Sequence, residues 1–204
     1  MTVVVTPPET IEVGTPDGAG IRLELLGPER AAEVADAINA SIEHLRPWME
    51  WAHRPTTVHE QAVRLALEQE RFRAGSGSLW TIVHAVTCEV IGGCGLHPRT
   101  NDPKVRDIGY WLRPDMTGKG YATAATAAVV RVALYTLGMD AVRITCAEAN
   151  VRSAAVPRRL GFHHTGTEAG TMAWELTRAR FVPWNVAPGA TFHGTKPASE
   201  EDSA

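Results

Sequence analysis

The sequence predicts one α/β (α+β) domain in which helices flank a mostly antiparallel sheet. The chain has 204 residues, the size of a single ordinary domain, and 44% of them are hydrophobic. Three strand-like segments follow one another in the middle of the chain, separated by turn residues. Because strands joined by short turns pair antiparallel, these three form a meander. Segments with helical spacing precede and follow it.

The N-terminal half begins with a segment rich in turn residues. Residues 1–19 contain Pro7, Pro8, Pro16 and an Asp-Gly-Ala-Gly turn, so we expect a loose lead-in with room for a short hairpin. The domain itself is expected over 20–178. The elements predicted in this half are a strand over 21–26, a helix from Pro28 to near Pro47, and a second helix, capped by Thr56 or Thr57, that ends near Ala74.

The second half carries the meander and an alanine-rich helix. Apolar residues after Gly120 recur at helical spacing until Gly138, which suits the position just past a helix end. Residues 183–204 are rich in proline and polar residues, so we expect a flexible tail. The predicted elements are strands over 79–86, 90–97, 107–112, 141–147 and 171–176, a long helix over 120–138 and a short helix over 153–162.

Composition excludes several classes of function. The net charge of −3 and the pI near 6.2 give no overall attraction to nucleic acid or to an anionic membrane. Cys88, Cys94 and Cys146 lack CxxC spacing, and the histidines lack metal-ligand spacing, so we expect reduced thiols and no metal. The sequence shows no basic leader and no apolar run of membrane-spanning length, which predicts a cytoplasmic location.

The strongest functional signal is the segment from Tyr110 to Thr123, a strand followed by a glycine-rich turn that opens a helix. Gly118 and Gly120 allow backbone N–H groups to approach a ligand closely. The helix adds its unpaired N–H groups and the positive end of its dipole, and Lys119 adds a formal charge. The turn is therefore suited to bind a pyrophosphate.

Two other phosphate-binding loops fit this turn poorly. A Walker loop requires glycine where Arg113 stands, and serine or threonine where Gly120 follows the lysine. The dinucleotide fingerprint requires its third glycine at Thr123, and the preceding strand belongs to a meander instead of a βαβ unit. A strand-to-helix turn that binds nothing is the remaining alternative.

The turn resembles the acyl-CoA loop of the GNAT acetyltransferases, Gln/Arg-x-x-Gly-x-Gly/Ala. The matching stretch is 117–122, and the first position of the pattern falls at Asp115 or Thr117, neither of which is Gln or Arg. A second GNAT motif, Asn150-x-x-Ser153-x-x-Val156-x-x-Arg-Leu-Gly-Phe, follows the predicted strand over 141–147. The segments His-Leu-Arg-Pro-Trp-Met-Glu-Trp-Ala and Ile-Gly-Tyr-Trp-Leu narrow the likeness to the RimJ/RimL-type branch.

The resemblance implies a sheet that splays between two parallel strands, 107–112 and 141–147, to form a cleft for the co-substrate acetyl-CoA. Backbone groups around Tyr110 and Leu112 would meet the thioester and the pantetheine, and backbone amides of the glycine turn would meet the pyrophosphate. The residues expected to contact acetyl-CoA are Trp111, Leu112, Arg113, Thr117, Gly118, Lys119, Gly120, Tyr121, Ala122, Thr123 and Asn150.

The same resemblance assigns catalytic roles. Acyl transfer to an amine requires a proton donor for the leaving thiolate and a base for the ammonium proton. The motif places Ser153 as the donor, with Tyr110 as the other hydroxyl, although Ser153 is also a preferred helix N-cap. Asp107 is favoured as the base. Other carboxylates stay open for that role, namely Glu50, Glu148 and Glu168.

These observations predict transfer of acetyl from acetyl-CoA to a primary amine, either a protein N-terminus or a small molecule. Trp48 and Trp51 are candidates for the wall of the acceptor pocket, or they pack a helix connection onto the core. A non-catalytic acyl-CoA sensor and a transferase for longer acyl chains are the alternatives. The expected partners are the acyl donor and the amine acceptor, without nucleic acid or membrane, and a homodimer is left open.

Overall fold

The computed structural model describes residues 5–98 and 102–181 and the backbone of residues 192–193. The strands are β1 Thr10–Val13, β2 Ile21–Glu24, β3 Ser78–His84, β4 Val90–His97, β5 Val105–Leu112, β6 Ala141–Ala147, β7 His163–Glu168, β8 Thr171–Thr177 and β9 Phe192–His193. The helices are α1 Ala31–Asn39, α2 Ile42–Leu45, α3 Val58–Arg73, α4 Tyr121–Arg131 and α5 Val151–Arg159.

The described strands form one sheet in the order β7-β8-β6-β5-β4-β3-β2-β1-β9. Every neighbouring pair is antiparallel except β5 and β6, which run parallel. The predicted meander is β3, β4 and β5, and the predicted parallel pair is β5 and β6. The fold class expected from the sequence, a mixed and mostly antiparallel sheet flanked by helices, is confirmed.

Helices cover both faces of the sheet. The larger apolar cluster joins α4 and α5 to sheet residues such as Ile108 and Ile144, both nearly inaccessible to solvent. The smaller cluster joins α1 and Leu65 of α3 to Val90, with Trp111 packed against it. Since Ile108 and Trp111 differ by three positions on one strand, their side chains point to opposite faces.

The predicted cap of the second helix is confirmed at Thr57. Its hydroxyl accepts from the backbone N–H of Glu60 at 3.2 Å, and the Glu60 carboxylate accepts from the backbone N–H of Thr57 at 2.8 Å. The first predicted helix, in contrast, is broken into a 3-10 turn over Pro28–Arg30, then α1 and α2. At the break the buried Ser41 hydroxyl donates to the Ala37 carbonyl at 2.6 Å, a local bond that competes with helix continuity.

The segment 1–19, expected to be a loose lead-in with room for a short hairpin, contributes a strand to the sheet. Strand β1 pairs antiparallel with β2 through residues Thr10 to Val13. Ile11 and Val13 alternate with polar residues and are fully buried or nearly so, which is the period of a half-buried strand. The flanking prolines and glycines hid this short alternation.

Strand β7 was not predicted as an element. All six of its residues, His163 to Glu168, are exposed, so the segment has no apolar period to reveal it. In the predicted tail, Phe192–His193 pairs with Thr10 and Ile11 of β1, and the rest of 183–204 lies outside the described residues. None of the helices that the structure describes has the length and apolar character needed to cross a bilayer.

Candidate functional site

Strands β5 and β6 part soon after they meet. Their parallel pairing runs from Val105 opposite Ala141 to Asp107 opposite Arg143 and goes no further. Beyond that point, residues 109–112 of β5 are not paired with residues 144–147 of β6. The two strand ends therefore enclose a gap, and the backbone groups that face it are available to a ligand. This is the predicted cleft.

Strand β5 presents different chemistry on its two faces at this gap. Asp107 and Trp111 lie on the face covered by α1 and α3, because they alternate with Ile108 and Tyr110. Asp107 Oδ1 is buried, and no hydrogen-bond donor among the described residues reaches it. The other carboxylates considered as a base, Glu50, Glu148 and Glu168, are exposed. Of these carboxylates, that of Asp107 belongs to the last pair between β5 and β6, at the point where the two strands part.

On the opposite face, Tyr110 of β5 meets Ser153 of α5. Tyr110 Oη donates to the Ser153 carbonyl at 2.9 Å and lies 3.1 Å from Ser153 Oγ. Burial raises the pKa of the Tyr110 phenol, so it keeps its proton at neutral pH. Burial also raises the pKa of the Cys146 thiol, which lies in hydrogen-bonding reach of Ser153. Cys146 was not predicted here, although its place near the end of β6 could have suggested it.

The N-cap of α5 is Asn150, and the alternative that Ser153 caps this helix is wrong. Asn150 Oδ1 accepts from the backbone N–H of Ser153 at 3.1 Å. Ser153 therefore lies inside the first turn, and its hydroxyl is available to Tyr110. The helix starts two residues earlier than predicted, at Val151, because Asn is as good a cap as Ser. Pro157 consequently lies within the helix, beyond its first turn.

The cap predicts a stability effect at Asn150. Because Asn150→Ala removes the acceptor for the Ser153 N–H, we expect the free energy of unfolding to fall by about 0.5–2 kcal/mol. Urea denaturation followed by circular dichroism measures this change. Asn150→Asp keeps a capping oxygen and is the matched control, expected close to the wild type. Equal stability of the Ala and Asp variants would contradict the assignment.

The glycine turn presents a row of unpaired backbone amides. Gly118 and Gly120 have φ of 79° and 86°, the left-handed region that favours glycine. From Gly118 to Thr123 no backbone N–H donates to an acceptor among the described residues, and the first that does is Ala124, to Gly120 O at 2.9 Å. Such a row at a helix N-terminus is an anion-binding arrangement.

Several side chains expected at the co-substrate have partners within the turn. The Arg113 guanidinium binds Asp115 at 2.8 Å, and this contact lowers the pKa of the Asp115 carboxyl. Thr117 Oγ1 donates to Pro114 O at 2.9 Å. The exposed Lys119 ammonium lies 3.5 Å from Met116 Sδ. Leu112 is buried in the larger cluster, against which Ala122 packs, and Thr123 is half-buried in the first turn of α4.

The loop between β1 and β2 supports the glycine turn, a role the sequence did not suggest. Asp17 Oδ2 accepts from Tyr121 Oη at 2.6 Å, and hydrogen bonds from Thr15 and Tyr121 lower the pKa of Asp17 to about 2. A Cβ at Gly120 would lie 3.1 Å from Pro16 Cγ. Tyr121 therefore contributes its backbone to the turn, while its ring is buried. The backbone angle and the nearby Pro16 ring both favour glycine at 120.

The three tryptophans predicted at the site differ in their contacts and in their exposure to solvent. Trp51 packs edge-on against Trp111, with ring centroids 6.0 Å apart, on the face that holds Asp107. Trp111, expected at acetyl-CoA, thus lies on the α1–α3 side of the sheet. Its indole packs over Gly93, where an added Cβ would lie 2.7 Å from the indole Nε1. Trp48 is 39% exposed and Trp51 48%. No described cluster of His, Cys, Asp and Glu has the composition to hold a metal ion.

An anion-binding turn at one end of the gap, with a carboxylate and a hydroxyl pair on its two faces, suits a group transferase whose donor carries phosphates. The model of the family described as "Acetyltransferase (GNAT) domain" matches residues 21–163. The chain therefore belongs to the GNAT acetyltransferase family. It is an acyltransferase that takes acetyl from acetyl-CoA, which confirms the expected enzyme class and co-substrate.

The relatives include enzymes of the RimJ/RimL type. YdaF of Bacillus subtilis, named as a candidate ribosomal N-acetyltransferase, is 28% identical over 148 residues, which are 72% of this chain and 79% of YdaF. Mycobacterium smegmatis RimJ, solved with CoA-disulfide, has a TM-score of 0.73 at 22% identity. The match covers 90% of this chain and 91% of the RimJ chain. RimL, a ribosomal L7/L12 N-terminal acetyltransferase solved with CoA, has a TM-score of 0.70 at 18% identity, with 77% and 93% covered. The likeness to these solved structures shows the fold.

Proposed function

We propose that the enzyme acetylates the N-terminal amine of a protein, and that the amine and the thioester meet in the gap between β5 and β6. The observation that carries the proposal is the separation of the two proton-handling groups onto opposite faces of β5. Asp107 lies on the side of Trp51 and Trp111, and Tyr110 lies with Ser153 on the side of α5. An amine can therefore enter from one face while a thiol leaves on the other.

The donor lies along the second face in this proposal. The unpaired amides from Gly118 to Thr123 bind the pyrophosphate, and the backbone over 109–112 binds the pantetheine and the thioester carbonyl. Asn150 is used as the cap of α5, so its contact with the pantetheine arm would involve the amide nitrogen that the cap leaves over. Trp111 is assigned to the acceptor side.

The reaction proceeds by direct attack. The nitrogen lone pair of the amine forms a bond to the thioester carbon, and the carbon–sulfur bond then breaks with its electron pair on sulfur. Asp107 takes a proton from the nitrogen, directly or through water. Tyr110 Oη turns its proton from the Ser153 carbonyl to the sulfur and gives it to the CoA thiolate, and the Ser153 hydroxyl donates to the phenolate that this leaves. The products are an acetylated amine and CoA.

Exposed tryptophans in the segment that contacts Trp111 favour a protein acceptor over a small amine. Trp51, which packs against Trp111, is 48% exposed, and Trp48, close to it in the chain, is 39% exposed. This apolar area suits a chain segment that covers it on binding. YdaF and RimL are also named for ribosomal acceptors. The ribosome supplies such N-termini, and we infer that one of its proteins is the acceptor.

Thiol release from acetyl-CoA tests the proposal directly. The purified enzyme is incubated with acetyl-CoA and one of three acceptor sets: peptides with the N-termini of ribosomal proteins, polyamines and aminoglycosides, or free amino acids. We expect the highest kcat/KM with a peptide, and mass spectrometry should place the acetyl group on its N-terminal nitrogen. Preference for a small amine would overturn the acceptor class, and faster turnover of a longer acyl-CoA would overturn the donor.

A further inference from the structure

Pro157 lies inside α5, where proline is unusual. The residue is buried, and the helix continues on both sides of it, from Val151 to Arg159. Proline has no N–H, so the carbonyl four residues earlier loses its helical donor, and the ring also crowds that carbonyl. In α5 the carbonyl four residues before Pro157 is that of Ser153. The Ser153 carbonyl is therefore free to accept from another group.

That other group is Tyr110. Its phenol donates to the Ser153 carbonyl at 2.9 Å, which engages the single phenolic proton. In the second contact, at 3.1 Å, Ser153 Oγ is then the donor and Tyr110 Oη the acceptor. One helical residue thus holds the phenol at two points, and the carbonyl contact exists because residue 157 cannot make its own backbone bond.

We propose that Pro157 is a positioning residue for acyl transfer, because it leaves the Ser153 carbonyl unpaired and so holds the Tyr110 phenol at the gap. The inference rests on the proposed role of Tyr110 as part of the proton donor. Pro157 touches no reacting atom and acts through Ser153 and Tyr110. The alternative is that Pro157 only fills space in the core, and this alternative predicts a different kinetic result.

Two substitutions separate these interpretations. Pro157→Ala and Pro157→Leu both restore the backbone N–H, which directs the Ser153 carbonyl along the helix axis, yet they differ in side-chain volume. We expect kcat to fall by about three- to tenfold in both, the effect of weakening one neutral hydrogen bond, with KM for acetyl-CoA unchanged. If Pro157 only fills space, the bulkier leucine should retain more activity than alanine.

Thermal unfolding and acetyl-CoA binding by calorimetry are measured in parallel. Pro28→Ala is the matched control, because Pro28 opens a 3-10 turn whose first N–H has no helical acceptor, far along the chain from the gap. Both kinetic parameters should stay at the wild-type value in this control. Wild-type kcat in either folded Pro157 variant would overturn the proposal.

A double substitution makes the test independent of general effects on the helix. In the Tyr110→Phe background no hydroxyl remains for the Ser153 carbonyl to hold, so Pro157→Leu should cause no further fall in kcat. An equal fall in both backgrounds would show that the proline acts elsewhere and would reject the inference. Wild-type kcat in Tyr110→Phe alone would instead reject the proposed role of Tyr110, and the inference with it.

Discussion

Asp107→Asn is expected to lower kcat by about 10²- to 10⁴-fold, the range for loss of a general base. Asparagine keeps the size of the side chain but cannot take the ammonium proton. The buried Oδ1 of Asp107 has no donor among the described residues, so little structure depends on its charge. KM for acetyl-CoA should stay unchanged, because Asp107 lies on the acceptor face of β5.

The pH dependence of this variant checks the role. An α-amino acceptor has a pKa of about 7.7–8.0, so its reactive free-base fraction rises through that range without help from the enzyme. We expect the deficit of Asp107→Asn relative to the wild type to narrow as pH rises. Asp36→Asn, at an exposed position of α1, is the matched control and should match the wild type. A pH-independent deficit would mean that Asp107 orients the acceptor instead.

Tyr110→Phe is expected to lower kcat by about 10²-fold, the lower limit for a general acid, while acetyl-CoA binds normally. The phenol keeps its proton because burial raises its pKa, so it is a competent donor at neutral pH. Ser153→Ala should produce a smaller fall, since Tyr110 retains the carbonyl contact. Because Asn150 caps the helix, Ser153→Ala should leave the thermal midpoint nearly unchanged.

Ser153→Asp sharpens this comparison. A carboxylate in the first turn of a helix is favourable to the helix, but here it stands beside a developing thiolate. We therefore expect wild-type stability together with a larger loss of kcat than in Ser153→Ala. Steady-state kinetics with the preferred acceptor measure all three variants. Near-normal turnover in all of them would leave the proton to water.

Much of this architecture could be predicted because strong local signals agreed with the fold. The alanine-rich α4 between two glycines and the alternating β6 carry their periods in the residues themselves. The glycine turn announced an anion site because few residues other than glycine adopt its backbone angles. Strand β7 could not be found in this way, since it is held by pairing with β8 and has no apolar face.

The site itself was only partly predictable, because its remaining features depend on which residues meet across the fold. Asn150 and Ser153 are equally good caps in sequence, and only the start of α5 decides between them. The two faces of β5 follow from strand alternation, but the assignment of Trp111 to the acceptor side required the position of Trp51. The proposed positioning role of Pro157 depends on Tyr110, which lies far from it in the chain.

The bond between Asp17 and Tyr121 joins residues 104 positions apart. A chain still emerging from the ribosome therefore has its N-terminal strands long before the helix whose first turn they brace. Contacts between residues so far apart in the sequence carry a larger loop-closure entropy than local contacts. By binding the folded state, acetyl-CoA stabilises the protein as a whole by mass action.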